Sequence, residues 1–126
     1  MTIYQTKLEE LEKRTVDFSV KLVKQCGPYS KNQSLRPLID QVIRSATSIG
    51  ANYAEANNAS SRTDFKNKIF IAKKEAAETK YWLAVLAELL PSEDFAQLRQ
   101  EALELTLIFQ KIVSTLKMRN EKQFVK

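Results

Sequence analysis

The sequence predicts an all-α protein, an up-down-up-down antiparallel four-helix bundle, on three observations. Only 2 glycines and 3 prolines punctuate 126 residues, far fewer turn formers than an all-β or α/β chain of this length needs. Apolar residues recur in alternating steps of three and four along four separate segments, the pattern of helices packed nearly parallel. The segments are joined by short connections, which make sequential neighbours antiparallel. A chain of this size forms one domain, residues 1–126, and buries about two-thirds of its unfolded surface without staples.

Helix one is expected over about residues 5–25. Tyr4, Leu8, Leu11, Thr15, Phe18, Leu22 and Cys26 form its apolar stripe, and Glu9, Glu10 and Glu12 suit the positive end of its dipole. Gly27-Pro28 ends it, and Tyr29 to Gln33 reads as a loop. Helix two is expected over residues 35–57, with Ser34 as N-cap and Pro37 tolerated in the first turn. Its apolar face reads Leu35, Leu38, Val42, Ala46, Ile49, Tyr53 and Ala56. Asn57, Asn58, Ser60 and Ser61 stop it by offering local side-chain hydrogen bonds. Ala46, Gly50 and Ala54 recur every fourth residue, leaving a nearly bare face that another backbone can approach. Leucine at Gly50 should therefore overfill the contact, while alanine should be mild.

Helix three is expected over residues 62–90, opened by Ser61 with Asp64 as a capping box built on the shorter acid, and stopped by Pro91. Phe65, Ile69, Ala72, Ala76, Thr79, Leu83, Leu86 and Leu90 form a heptad seam. Helix four follows Ser92 over residues 93–118, with Phe95, Leu98, Ala102, Leu105, Phe109, Ile112 and Leu116 inward, and leads into a basic tail, residues 119–126. These seams leave Phe70, Ile71, Tyr81 and Val85 on helix three and Leu103 and Leu107 on helix four pointing elsewhere. A monomer tolerates scattered exposed apolar residues. A second interface between copies would cover them, and head-to-tail contacts that close give rings.

The composition narrows the chemistry. With no histidine, Ser-His and Cys-His pairs, ordinary zinc sites and the Glu-x-x-His ligands of di-iron bundles are all excluded. Gly27 and Gly50 stand alone, so there is no glycine-rich phosphate loop. The single cysteine, Cys26, permits no internal disulfide and reads as a small core residue, in keeping with a cytoplasmic location. The charged amino-terminal stretch is unlike a signal peptide, and the longest uncharged run, Ser45 to Ala54, is too short to span a bilayer, so no membrane partner is expected. No catalytic residue, metal ligand or cofactor site is assigned. Glu75 and Glu78, with Glu55 and Glu88, could be imagined as a carboxylate site, but Lys73, Lys74, Lys80 and Arg44 are placed to pair with them.

A net charge of +5 favours polyanionic partners. Lys66, Lys73 and Lys80 are spaced by seven along one edge of helix three, with Arg62, Lys68 and Lys74 on neighbouring faces. Such a row matches a polyphosphate track, and it equally matches solubilising lysines whose stems cover a seam. Lys117, Arg119, Lys122 and Lys126 add a second cluster, open to the same two readings.

Three blocks then carry a resemblance: Arg44-Ser-Ala-x-Ser-Ile-Gly-Ala-Asn-Tyr-Ala-Glu-Ala56, Ser61-Arg-x-Asp-Phe65, and Ala72-Lys-Lys-Glu-Ala-x-Glu-Thr-x-Tyr-Trp-Leu83. They are similar to the bacterial 23S rRNA intervening-sequence proteins, whose relatives include accessory proteins of diversity-generating retroelements. The resemblance implies a four-helix bundle assembled into a homopentameric ring with a basic surface and no enzymatic activity. It implies association with RNA, a ribosomal component or a reverse transcriptase. Within the matching blocks, Arg44, Asn52, Glu55, Glu75 and Glu78 look like a structural polar signature, and Tyr81 and Trp82 like anchors of a subunit contact. Arg62, Lys66, Lys73 and Lys80 are the candidate nucleic-acid contacts.

Overall fold

The computed structural model describes residues 2–124, and the side chains of residues 2–119. It contains four helices, α1 (Ile3–Cys26), α2 (Arg36–Asn57), α3 (Arg62–Leu89) and α4 (Glu93–Phe124), with a short 3₁₀ turn at Gly27–Tyr29. No strand occurs among the described residues.

Facing residues give the direction of each helix. Thr15 abuts Gly50, and the Ser19 hydroxyl lies 3.4 Å from the Ala46 carbonyl it donates to, so α2 descends as α1 rises. Between α2 and α3 the pairs Glu55–Lys68, Arg44–Glu75 and Ser45–Thr79 run in the same opposed sense. Lys117 lies over Phe70 at the far end of α4, and Tyr29 meets Phe95 at the near end while Arg14 meets Glu101 further along. Every neighbouring pair is therefore antiparallel. Across the centre, the Tyr53 and Phe109 rings meet edge to face at 5.6 Å.

On α3 the buried row Ile69, Ala72, Ala76, Thr79, Leu83 and Leu86 is the expected heptad seam. Its one polar member is satisfied: the Thr79 hydroxyl sits 2.7 Å from the Glu75 carbonyl and 2.8 Å from Ser45 Oγ. Three inward positions differ from expectation. Tyr4, expected to open the α1 stripe, is 67% exposed because it lies in the first turn, beyond the packed part of the bundle. Ile39 is buried where Leu38 is half-buried, because Leu35, Ile39, Val42, Ala46, Ile49, Tyr53 and Ala56 keep the alternation of four and three unbroken. Val113 is buried in place of Ile112, since an α-helix of 3.6 residues per turn drifts off a strict heptad.

The helix starts also differ. Thr2 caps α1 two residues ahead of the expected start, its hydroxyl accepting from the Gln5 amide at 3.1 Å while Gln5 Oε1 accepts from the Thr2 amide at 2.9 Å. Glu9, Glu10 and Glu12 consequently lie beyond the first turn. Ser34 does not cap α2. Leu35 stands at the cap position with no side-chain bond, and Asn32 instead orders the turn that leads into the helix, its Oδ1 accepting from the amides of Ser34 and Leu35 at 3.0 and 3.2 Å. The Ser61 hydroxyl accepts from the Asp64 amide at 3.0 Å, but the shorter acid makes no return bond. The expected basic tail is helical through Phe124, and Lys126 lies outside the described residues.

Candidate nucleic-acid interface

The two edges of α3 carry opposite electrostatic arrangements. On the edge facing α2, charges are consumed in pairs. Lys68 Nζ lies 2.6 Å from Glu55 Oε2, and that hydrogen bond, with the attraction of the same carboxylate, raises the ammonium pKa. Arg44 spans both Glu75, at 3.2 Å, and Glu78. Asn52 donates to the Ser48 carbonyl of its own helix at 2.8 Å. Of the acids that spacing alone might gather into a site, Glu75 and Glu78 are thus held by Arg44 and Glu55 by Lys68, while Glu88 is exposed further along α3. Among the described residues no group of three or more His, Cys, Asp or Glu side chains is placed to hold a metal ion.

The other edge is unpaired. Lys66, Lys73 and Lys80 are half-buried, one heptad or about 10.5 Å apart along the axis. None of the three, nor the exposed Arg62, has a carboxylate within ion-pair distance among the described residues. Their partial burial places the aliphatic stems along the bundle and leaves the ammonium groups for solvent. This edge looks toward α4: Lys66 shares a groove with Leu116 and Arg119, and the Phe70 ring one turn on lies 5.8 Å beneath Lys117 Nζ.

That groove occupies about 620 Å³ at one end of the bundle, between the first turns of α1 and α3, the α2–α3 connection and the last described side chains of α4. A larger hollow of about 840 Å³ between α1 and α4 is of mixed charge, with Lys13, Arg14, Lys21 and Lys24 among Glu10, Asp17, Asp94, Glu101 and Glu104. Arg14 grips Glu101 there with two hydrogen bonds, Nε to Oε2 at 2.9 Å and Nη2 to Oε1 at 2.5 Å.

The family model for the 23S rRNA-intervening sequence protein matches residues 7–111. The chain belongs to this family. A crystal structure of a protein with unknown function from the S23 ribosomal protein family of Bacteroides thetaiotaomicron is 35% identical and superposes with a TM-score of 0.74, over 81% of this chain and 96% of that one. No curated protein matches the sequence.

In this member of the 23S rRNA-intervening sequence family, Arg44, Glu55, Glu75 and Glu78 form the α2–α3 charge edge, and Asn52 is satisfied within α2. The apolar residues outside the seams divide into two groups. Phe70, Trp82, Val85 and Leu103 are half-buried, covered in part by their own chain as Phe70 is by Lys117. Ile71, Tyr81 and Leu107 are 38%, 60% and 59% exposed. The Tyr81 ring meets the Trp82 indole edge to face at 5.2 Å, and Trp82 Nε1 is buried with no acceptor among the described residues.

Sequence reasoning missed a third set. Val16, Val20 and Val23 are 54%, 45% and 42% exposed on α1. Their spacing of four and three was legible, but it runs beside the more apolar inward stripe and was overshadowed by it. No helix is long and apolar enough to cross a membrane among the described residues.

Proposed function

We propose that this protein is a non-enzymatic, cytoplasmic accessory protein that self-associates into a ring, five copies by resemblance, and binds RNA or a ribonucleoprotein through the basic edge of α3. The observation that supports this reading is the asymmetry of that helix: Lys68 is neutralised toward α2, whereas Lys66, Lys73, Lys80 and Arg62 have no carboxylate partner among the described residues. Each phosphate that such a row neutralises releases condensed counterions, with a slope of roughly 0.7 to 0.9 in log affinity against log salt. Individually weak contacts on several copies add through multivalency.

Fluorescence anisotropy of a labelled, unstructured RNA across a salt series tests the reading. A variant carrying Lys66→Gln, Lys73→Gln and Lys80→Gln, with its oligomer mass unchanged, should lose both affinity and salt slope. Equal binding by wild type and variant at low salt would remove the basic edge from the mechanism.

A second reading is a protein-interaction scaffold, for example a partner of a reverse transcriptase, in which the lysines only solubilise. The exposed Tyr81 and Leu107 favour it, since a docked protein can cover both side chains and give the Tyr81 hydroxyl a partner. Under that reading the triple variant keeps its partner, and Tyr81→Ala releases it.

A further inference from the structure

The groove at the bundle end differs from the rest of the surface in what it brings together. Arg62 and Lys66 enter it from the first turns of α3, Arg119 from α4, and Tyr4 from the first turn of α1. These residues are far apart in sequence and converge only because α1 and α4 both run past the start of α3. No aspartate or glutamate lines the groove, and its three cations have no ion-pair partner among the described residues. The positive end of the α3 dipole opens beside them, behind the Ser61 cap.

The apolar part of the groove narrows the ligand. The Tyr4 ring is 67% exposed at its rim, and Phe65 forms a half-buried wall. A phosphate alone would use the cations and leave the rings and most of the volume idle. An acidic peptide would place flexible carboxylates where flat aromatic faces stand. A nucleotide has a planar face for Tyr4 and Phe65 and an anion for Arg62, Lys66 and Arg119, and the groove lies within the usual size of small-ligand sites, about 300–1,000 Å³. Lys66 belongs to both groove and row, so a strand anchored here continues toward Lys73 and Lys80.

We infer that the end groove is a subsite for one unpaired RNA nucleotide, whose base stacks on Tyr4 and Phe65 while Arg62, Lys66 and Arg119 hold its phosphate. A base inside a duplex has no free face, so the subsite favours single strands and loops over duplex. The inference deepens the RNA-binding reading and rests on it for its biological ligand, although the groove itself can be tested apart from the lysine row.

The first experiment titrates adenosine 5′-monophosphate, and separately inorganic phosphate, into isotope-labelled full-length protein. The nucleotide should shift resonances of Tyr4, Phe65 and Arg62, whereas phosphate should leave both rings unmoved. Unshifted rings with the nucleotide overturn the subsite, whether or not RNA binds elsewhere. The second compares a single-stranded oligoadenylate with an RNA duplex by anisotropy. Tyr4→Ala, at an exposed position that leaves the core intact, should weaken the single strand about fivefold or more with its salt slope unchanged, and Tyr4→Phe should restore it. Arg119→Gln should weaken binding and lower the slope. If both Tyr4→Ala and Arg119→Gln bind the single strand as wild type does while the lysine triple variant fails, the subsite is wrong and the basic-edge reading stands. If a variant carrying only Lys73→Gln and Lys80→Gln, which leaves Lys66 in the groove, binds normally while Tyr4→Ala fails, the groove stands and the row falls.

Discussion

Thr15 and Gly50 meet so closely where α1 crosses α2 that a Cβ at position 50 would lie 2.6 Å from Thr15 Oγ1 and 3.0 Å from Thr15 Cβ. Thr15 cannot easily yield, because it is β-branched and 1% exposed, and its hydroxyl donates to the Glu12 carbonyl at 2.6 Å. The bare face of α2 is therefore filled by a threonine of α1. This changes the expectation for alanine. Gly50→Ala gains about 1 kcal/mol of helix propensity but forces an overpacking cost of about 1–3 kcal/mol. Denaturant unfolding should show a net loss of up to about 2 kcal/mol, a larger loss for Gly50→Leu, and partial recovery when Thr15→Ala is added to Gly50→Ala. An alanine variant as stable as wild type would mean that α1 shifts without cost.

Cys26 ends the buried stripe of α1, where burial pushes its thiol pKa from 9.0 up to about 11. The folded state then keeps a proton that the unfolded chain releases at lower pH. This contribution to stability is fully present below about pH 9 and declines as pH rises toward 11. Unfolding midpoints for wild type and Cys26→Ala, measured from pH 8 to 11, should converge as pH rises, the variant being less stable at pH 8 because of its cavity. Parallel profiles would show that the thiol titrates normally. The native thiol should also resist aromatic disulfide reagents at pH 8.

Two arginines test how much surface pairs hold this bundle together. Arg14 makes both its hydrogen bonds to Glu101, with the Glu104 carboxylate farther off at 3.7 Å, whereas Arg44 divides its bonds to carboxylates between Glu75 and Glu78 with 47% of its side chain exposed. Exposed pairs are worth about 0.2–1 kcal/mol, least where geometry is shared and solvent screens it. A double-mutant cycle should place Arg14–Glu101 near the top of that range and Arg44–Glu78 near the bottom, with the second vanishing in 1 M salt. A stronger Arg44 coupling would assign the α2–α3 register to this charge edge instead of to the seam.

The four helices were legible because periodicity reports burial directly: the α3 row from Ile69 to Leu86 is the one read from the chain. What was not legible depended on chain geometry. Ser34 looked like the cap of α2, but Asn32 two residues earlier takes up the Ser34 and Leu35 amides and orders the turn before the helix, a choice between neighbouring polar side chains that composition does not decide. Tyr29, expected in a loop, is half-buried with its ring 6.1 Å from Phe95, a residue of α4. The basic row on α3 was visible as a spacing of seven, but its freedom from carboxylates required knowing which edge faces α2. Tyr4 read as the first residue of the α1 stripe and Arg119 as part of a second basic cluster, but their meeting beside Arg62 and Lys66 could not be read from the chain, since only the fold brings its two ends together.

The exposed apolar residues predict how copies associate. Val16 and Val23 flank Ser19, which reaches Ala46, so the valine row looks out from the side of α1 that adjoins α2. Leu103 stands two heptads before Lys117, which covers Phe70, so Leu103 and its neighbour Leu107 look out from the side of α4 that adjoins α3. In a bundle ordered α1, α2, α3, α4 these are opposite walls. Two different apolar patches on opposite walls suit a head-to-tail contact, which repeats until it closes. Light scattering behind size exclusion should therefore report several times the 14.5 kDa chain mass. Leu107→Glu and Val20→Glu should each lower that mass, because each removes one half of the same contact. The decisive mixture combines the two variants, in which one intact valine wall still meets one intact leucine wall. It should recover dimers but no larger closed species, and recovery of nothing, or of full rings, would show that the two walls do not face each other.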